Sequence, residues 1–286
     1  MATSPIEDLR TRLGASLRIM LSGATEPRAL SAAEDGLFGP GSAVWDVHGD
    51  ASMLPGAIRA LLLQSLHPPT MAGVADHSDY KSDPLVRLQR TAGFVSLVTY
   101  GSEREIDAAV QHLYAIHEKV TGVAPNGKPY RANDPHLLAW VHATEVDSFL
   151  EARRRFGVND LDKAHADRYV AEMARVGELM GVESPPRSTA DLDATLRSYV
   201  PELDVNRQTR EALRFLAFPP LPLYARGAYG VLFAGAVASL PSWAKRRLWL
   251  PPMPITERLA VRPATQLVTR ALGWALEPAE STKPTG

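Results

Sequence analysis

Asp83-Pro84 opens one apolar run that closes at Gly101, and Asp134-Pro135 opens another that closes at Gly157. In each, the aspartate can accept from the free N–H groups of a first helical turn, proline loses nothing at the first helical position, and glycine permits the exit. A third start, Ser102 followed by Glu105, has the spacing of a capping box. Punctuation of this kind recurs along the chain, whereas alternating strand patterns bounded by hairpin turns are nearly absent. An all-α, single globular fold is the expectation.

Helices are expected near Ile6 to Leu21, over PGAIRALLLQSLHP up to the stop at Pro68 and Pro69, from Asp83 to Gly101, from Ser102 to Gly122, and from Asp134 to Gly157. Others fit Leu161 to Met180, Asp191 to Tyr199, Arg207 to Ala217, Tyr229 to Ser239, Ser242 to Leu248 and Ile255 to Leu276. The two consecutive runs on either side of Gly101 should form a tight helical pair, and Val44–Trp45 a short extended piece. No repeat or low-complexity linker interrupts the 286 residues, so residues 1–276 are expected to form one domain, with PAESTKPTG in a disordered tail over 277–286.

Without cysteine, disulfides, zinc–thiolate sites, iron–sulfur clusters and a thiol nucleophile are excluded. A net charge of −1 gives no reason to expect nucleic acid. The start MATSPIEDLRTRLG mixes acids and arginines where an export signal needs a basic start and an apolar core, so a cytoplasmic location is expected. GAYGVLFAGAVASL, the most apolar window, is too short to span a bilayer.

On the helix after Asp83, positions 87, 90, 91, 94 and 98 share a face, which aligns Arg87, Arg90 and Thr91 with Phe94 and Val98. From Ala92 to Val98 the opposite face is apolar too, and a helix apolar all round is normally buried. An arginine stem entering that interior needs an anion or an exit to water. The simpler alternative has Arg87 and Arg90 on exposed turns, paired with Asp83 or Asp79. On the next helix Ile106, Val110, Leu113, His117 and Val120 fall on one stripe, which points His117 inward. An inward imidazole is either a packing residue or a metal ligand of the kind that holds haem iron from one side.

Other constellations compete. His142 and Glu145 share a face with Leu138 and Phe149, but a helix-bundle di-iron site needs a second such motif and further glutamates. His67 and His77 flank a segment with Asp76 and Asp79, where turn chemistry is the default. Asp46, His48 and Asp50 alternate in WDVHGD and would share a face if extended. No nucleotide-binding glycine loop, G-x-S-x-G or H-E-x-x-H occurs.

Three stretches, LLLQSLHPPTMAGVADHSDYKSDPLVRLQRT, VTYGSEREIDAAVQHLYAIHEKVTG and YRANDPHLLAWVHATEVDSFL, occur in an order that resembles the domain shared by bacterial rubber oxygenases (latex clearing proteins) and the fungal mycophenolic-acid oxygenase MpaB, from about Leu37 to about Pro252. The resemblance implies a globin-reminiscent helical fold, haem b as cofactor, and one histidine as proximal iron ligand, for which His117 is the matching position. The R-x-x-K-T run that lies near haem in rubber oxygenases is similar to Arg87, Leu88, Gln89, Arg90, Thr91 here. Arg90 replaces the lysine, and a guanidinium that stays protonated suits hydrogen bonding to oxygen or a propionate rather than iron ligation. The glutamate base of rubber oxygenases has no counterpart among Met71, Asp76 and His77.

What this implies is a haem-dependent oxygenase using O2 on a small or medium apolar organic substrate, such as an isoprenoid or other alkene, with an electron donor as a further partner. His117 would ligate iron, Arg87, Arg90, Thr91 and Phe94 would line the cofactor, and Arg90 and Thr91 would act on oxygen. The alternatives are a haem-binding sensor or carrier without turnover, a helical scaffold that has lost its cofactor, and a di-iron protein. The oligomeric state is left open.

Overall fold

The computed structural model describes Glu7, Arg10, Gly14 and residues 35–78 and 80–276, with Leu85 in its backbone alone. Apart from three helical positions, Glu7, Arg10 and Gly14, the helix expected over Ile6 to Leu21 lies outside the described residues, as does the 277–286 tail. Twelve α-helices of six residues or more follow among the described residues: α1 Ala43–His48, α2 Met53–Gln64, α3 Pro68–His77, α4 Pro84–Tyr100, α5 Glu103–His117, α6 Pro135–Phe156, α7 Lys163–Leu179, α8 Thr189–Ser198, α9 Arg207–Ala217, α10 Leu223–Ser239, α11 Ser242–Arg247 and α12 Arg262–Leu276. A π-helical turn, Glu257–Val261, leads into the last of these. The expected all-α class is the observed one.

The local punctuation works as chemistry. Asp83 accepts from Val86 N at 3.3 Å and Asp134 from His136 N at 2.9 Å. Ser102 and Glu105 close a reciprocal capping box. Pro68 and Pro69, expected only to stop a helix, occupy the first positions of α3, so the segment between His67 and His77 is helical rather than a loop. WDVHGD is not extended either. Ser42 accepts from Trp45 N at 3.2 Å and starts α1. The stretch after α5 departs most from expectation: the helix ends at His117 rather than Gly122, and Thr121–Val123 (β1) pairs antiparallel with Pro129–Arg131 (β2) around Gly127, whose φ of 81° suits a tight turn.

The centre of the molecule is the packing of α2 on α6, with α10 against α2, α7 and α1 against α6, and α12 closing over α10. A Cβ at Gly56 would meet Phe149 Cδ1 at 3.0 Å, the Ser148 carbonyl at 3.1 Å and Ala152 Cβ at 3.2 Å, so glycine is what lets α2 lie against α6. Around this contact Leu62, Leu63, Trp140, Val146, Phe149, Leu150, Tyr169 and Met173 are buried in one continuous cluster. Arg59 enters the same interior and is only 2% exposed. Its guanidinium donates to Asp147 Oδ2 at 2.7 Å, Ser148 Oγ at 2.8 Å and the Ser239 carbonyl at 3.1 Å, tying α2 to α6 and α10 at once. Among the described residues no helix is long and apolar enough to cross a membrane.

Candidate functional site

Helices α4 and α5 form a hairpin about Gly101–Ser102, but a splayed one rather than the tight pair expected. Near the turn both inward stripes are rooted in the main core, with Val98 and Ile106 buried and Phe94 and Val110 packed part-buried beside them. Away from the turn burial falls: Leu113 and His117 are half-buried, Arg87 is half-buried, and Arg90 and Thr91 are exposed. The helix read as buried on every side is therefore buried only at its C-terminal end, because no described element covers the rest. Arg87 lies fourteen residues before Gly101 and His117 sixteen after it, so both sit roughly 20–24 Å along their helices from the turn, at the open end. Helix α3 braces that end. Its C-cap Ser78 accepts from the Arg87 guanidinium, and the neighbouring His77 ring contacts the Thr121 carbonyl at 3.1 Å, just beyond α5.

The chemistry at this open end is specific. Burial lowers the Arg87 guanidinium below its usual range, opposed by the nearby Tyr80 phenol, and no described carboxylate faces it. Asp83, one of its two expected partners, caps α4 instead, and Asp79 lies outside the described residues. Burial also lowers the His117 imidazole, with the Asn133 side chain pulling the other way, which favours the neutral ring that a metal would need. Thr91 donates its hydroxyl proton to the Arg87 carbonyl at 3.1 Å, while Arg90 stands exposed on the same stripe. A Cβ at Gly93 would meet nothing within 4 Å. A half-buried cation without a described anion, a neutral inward imidazole and an apolar wedge suit a flat, anionic, apolar cofactor. Two open cavities lie elsewhere: one of about 420 Å³ lined by Ile106 and Arg175, and one of about 350 Å³ lined by Leu62, Leu213, Phe233 and Leu250.

A second polar group sits deeper. The Thr99 hydroxyl donates to the Val95 carbonyl at 2.7 Å, so it accepts from His48 Nδ1 at 2.8 Å, and His48 Nε2 then accepts from the Tyr169 hydroxyl at 3.0 Å. Burial holds His48 neutral, pulling it down to about 3. Asp46 and Asp50 do different work, both facing Arg153, at 3.0 and 3.7 Å. On α6, burial pulls His142 down to about 4 and pushes the Glu145 carboxyl up to about 7. His142 Nε2 has no hydrogen-bond partner, and Gly177 of α7 lies so close that a Cβ there would meet it at 2.9 Å. His142 and Glu145 gather no third potential ligand within reach, so among the described residues nothing completes a di-iron site.

Glu145 has a measurable consequence. With its folded value raised from 4.5 to about 7, the native state keeps a proton that the unfolded chain has released, so stability falls as pH rises across that window and the cost is complete above it. Glu145→Gln should stabilise the protein by on the order of 1–3 kcal/mol at about pH 8 and hardly at all at about pH 4. Urea unfolding at the two pH values measures this, and an equal effect at both would mean that the carboxyl is solvated.

The structure also assembles a group that the sequence does not announce. His67, at the start of α3, lies with His136 and Glu202, and their ligand atoms all fall within 4.8 Å of one another. His67 is thus separated in role from His77, with which the sequence grouped it. His136 and Glu202 carry no local signal, since only the tertiary fold joins positions 67, 136 and 202.

A family model described as ER-bound oxygenase mpaB/B'/Rubber oxygenase, catalytic domain, matches residues 45–276, which runs from α1 to the end of α12. No curated protein and no solved structure matches the chain.

Proposed function

Because the chain belongs to the mpaB/rubber oxygenase catalytic-domain family, an oxygenase family, we propose that it is a haem b-dependent oxygenase acting with O2 on a small or medium apolar substrate, with oxidative cleavage of an isoprenoid or alkene double bond as the favoured reaction. The observation that carries the haem assignment is the open end of the α4–α5 wedge, where a neutral His117 and a half-buried Arg87 with no described carboxylate stand on facing legs of one hairpin.

Haem, when bound, supplies the iron at which O2 is activated. His117 would hold that metal through its imidazole. Arg87 is positioned for a propionate: its stem is already desolvated, and a carboxylate there would replace the weaker Ser78 hydroxyl as its acceptor. Arg90 would donate hydrogen bonds to oxygen through its guanidinium fork, whereas Thr91 must first release the Arg87 carbonyl before its hydroxyl can do so. Phe94 and Val98 supply the apolar wall and exclude water from it. The partners in this reading are O2, the apolar substrate and an electron donor.

Arg87→Met should weaken haem binding about 10- to 100-fold, the value of one charge-assisted pair, while leaving the haem spectrum unchanged in shape. Titration of the apoprotein with haem, followed at the Soret band, checks it. An unchanged affinity would return Arg87 to an ordinary surface role. The function itself is tested by O2 uptake and carbonyl product formation with a panel of alkenes. A normal spectrum that responds to carbon monoxide, without O2 uptake on any substrate, would favour a haem-binding sensor or carrier.

A further inference from the structure

We propose that His67, His136 and Glu202 form a second metal site, for a divalent first-row transition ion of the zinc class, distinct from the cofactor site at His117. Three parts of the fold meet there. His67 is the residue before α3, His136 lies in the first turn of α6, and Glu202 ends the 3-10 turn Val200–Glu202 ahead of α9. Two imidazoles and a carboxylate are a common ligand set for such an ion, with water completing the coordination.

The hydrogen bonding of His67 points to a missing electrophile. Its side chain is 1% exposed, and Nδ1 pairs with Thr70 Oγ1 at 2.8 Å, which leaves Nε2 aimed at Glu202 Oε2 from 3.7 Å. That distance is too long for a hydrogen bond, and Nε2 has no other partner. If Nδ1 carries the proton, a buried lone pair faces a carboxylate. If Nε2 carries it, a buried N–H has no acceptor. Either tautomer is costly alone, and a metal between Nε2 and the carboxylate relieves both. The Thr70 contact then acts as the outer partner that orients a metal-bound imidazole.

The other two ligands are equally prepared. His136 Nε2 lies 3.0 Å from Glu202 Oε1, and its ring stacks on Tyr199 at 4.5 Å while the Tyr199 hydroxyl donates to the His136 carbonyl at 2.8 Å. The two imidazoles approach different oxygens of one carboxylate, at 3.0 and 3.7 Å, and the three ligand atoms lie within 4.8 Å, near the roughly 3.4 Å between neighbouring ligand atoms on a tetrahedral zinc with bonds of about 2.1 Å. Trp140 and Tyr199 wall the His67 ring, each at a centroid separation of 6.0 Å. Lys128, 4.0 Å from Glu202 and well exposed on the β1–β2 turn, neutralises the carboxylate without the ion and can swing into water when it binds.

The test uses the haem-loaded full chain, stripped of loosely held metal and titrated with Zn2+ against a chromophoric chelator, and separately with Co2+ for its visible ligand-field bands. One Zn2+ per chain is expected, with a rise in thermal midpoint. His136→Ala and Glu202→Gln, both at partly exposed positions, should each weaken Zn2+ binding on the order of 100-fold while the Soret band and helical circular dichroism persist. Absence of stoichiometric Zn2+ binding in the parent protein overturns the proposal. Zn2+ binding that survives both substitutions, or that is lost on His117→Ala instead, also overturns it.

Discussion

Purified His117→Ala is expected to contain no stoichiometric haem, to show no Soret band that shifts with carbon monoxide, and to retain its helical circular dichroism. In the proposed reading His117 would link the chain to the iron, and since even the outer partners of metal ligands cost 10- to 100-fold in affinity, its removal should cost more than about 100-fold. The fold has little to lose at that position. His117 is half-buried at the last residue of α5, at the opposite end of that helix from Ile106, which roots it in the main core, so truncation opens no cavity in the central cluster. Free imidazole supplied to the variant should fill the vacated volume and restore part of the spectrum. Full haem occupancy with an unaltered spectrum in the variant would transfer the ligand role to another histidine.

The second large effect concerns stability. Arg59→Met is expected to destabilise the protein by about 3–5 kcal/mol, because each guanidinium nitrogen is engaged by a different acceptor in a site that water does not reach. Asp147, whose side chain is one-quarter exposed, can recover hydration, so Asp147→Asn should cost less, about 1–2 kcal/mol. The double variant should be little worse than Arg59→Met, since both substitutions remove the same ion pair. Denaturant unfolding of the four proteins measures the coupling. A loss below about 1 kcal/mol for Arg59→Met would mean that methionine packing replaces the polar clamp, as happens when buried ion pairs are exchanged for apolar residues.

How much of this was written in the sequence divides along the range of the forces involved. Caps are local: Asp83, Asp134 and the Ser102–Glu105 box need only their own next turn, and each is found where the spacing puts it. The Asp46, His48, Asp50 alternation misled for the converse reason, since Ser42 and its bond to Trp45 start a helix that turns His48 inward to Thr99 and Tyr169 while Asp46 and Asp50 both face Arg153. Periodicity placed Arg87 and His117 on inward stripes of adjacent helices, but it could not say how far the helices separate. That depends on what α4 and α5 pack against, a tertiary property. The His67–His136–Glu202 group was invisible because its members lie 69 and 66 residues apart.

The splay of the α4–α5 hairpin divides the protein into two tiers of order. The α2–α6 centre carries the hydrogen-bonded, water-free interior, while the hairpin holds on through the few side chains near Gly101 and the brace at Ser78. Amide protons along the outer halves of α4 and α5 should therefore exchange by local opening, long before those of α6. Anything that fills the wedge adds its binding free energy to that outer tier alone, about 2.7 kcal/mol at a hundredfold excess over its dissociation constant. Folding and loading become separate events: the chain reaches its native topology first, and the ligand then freezes the region that will handle it.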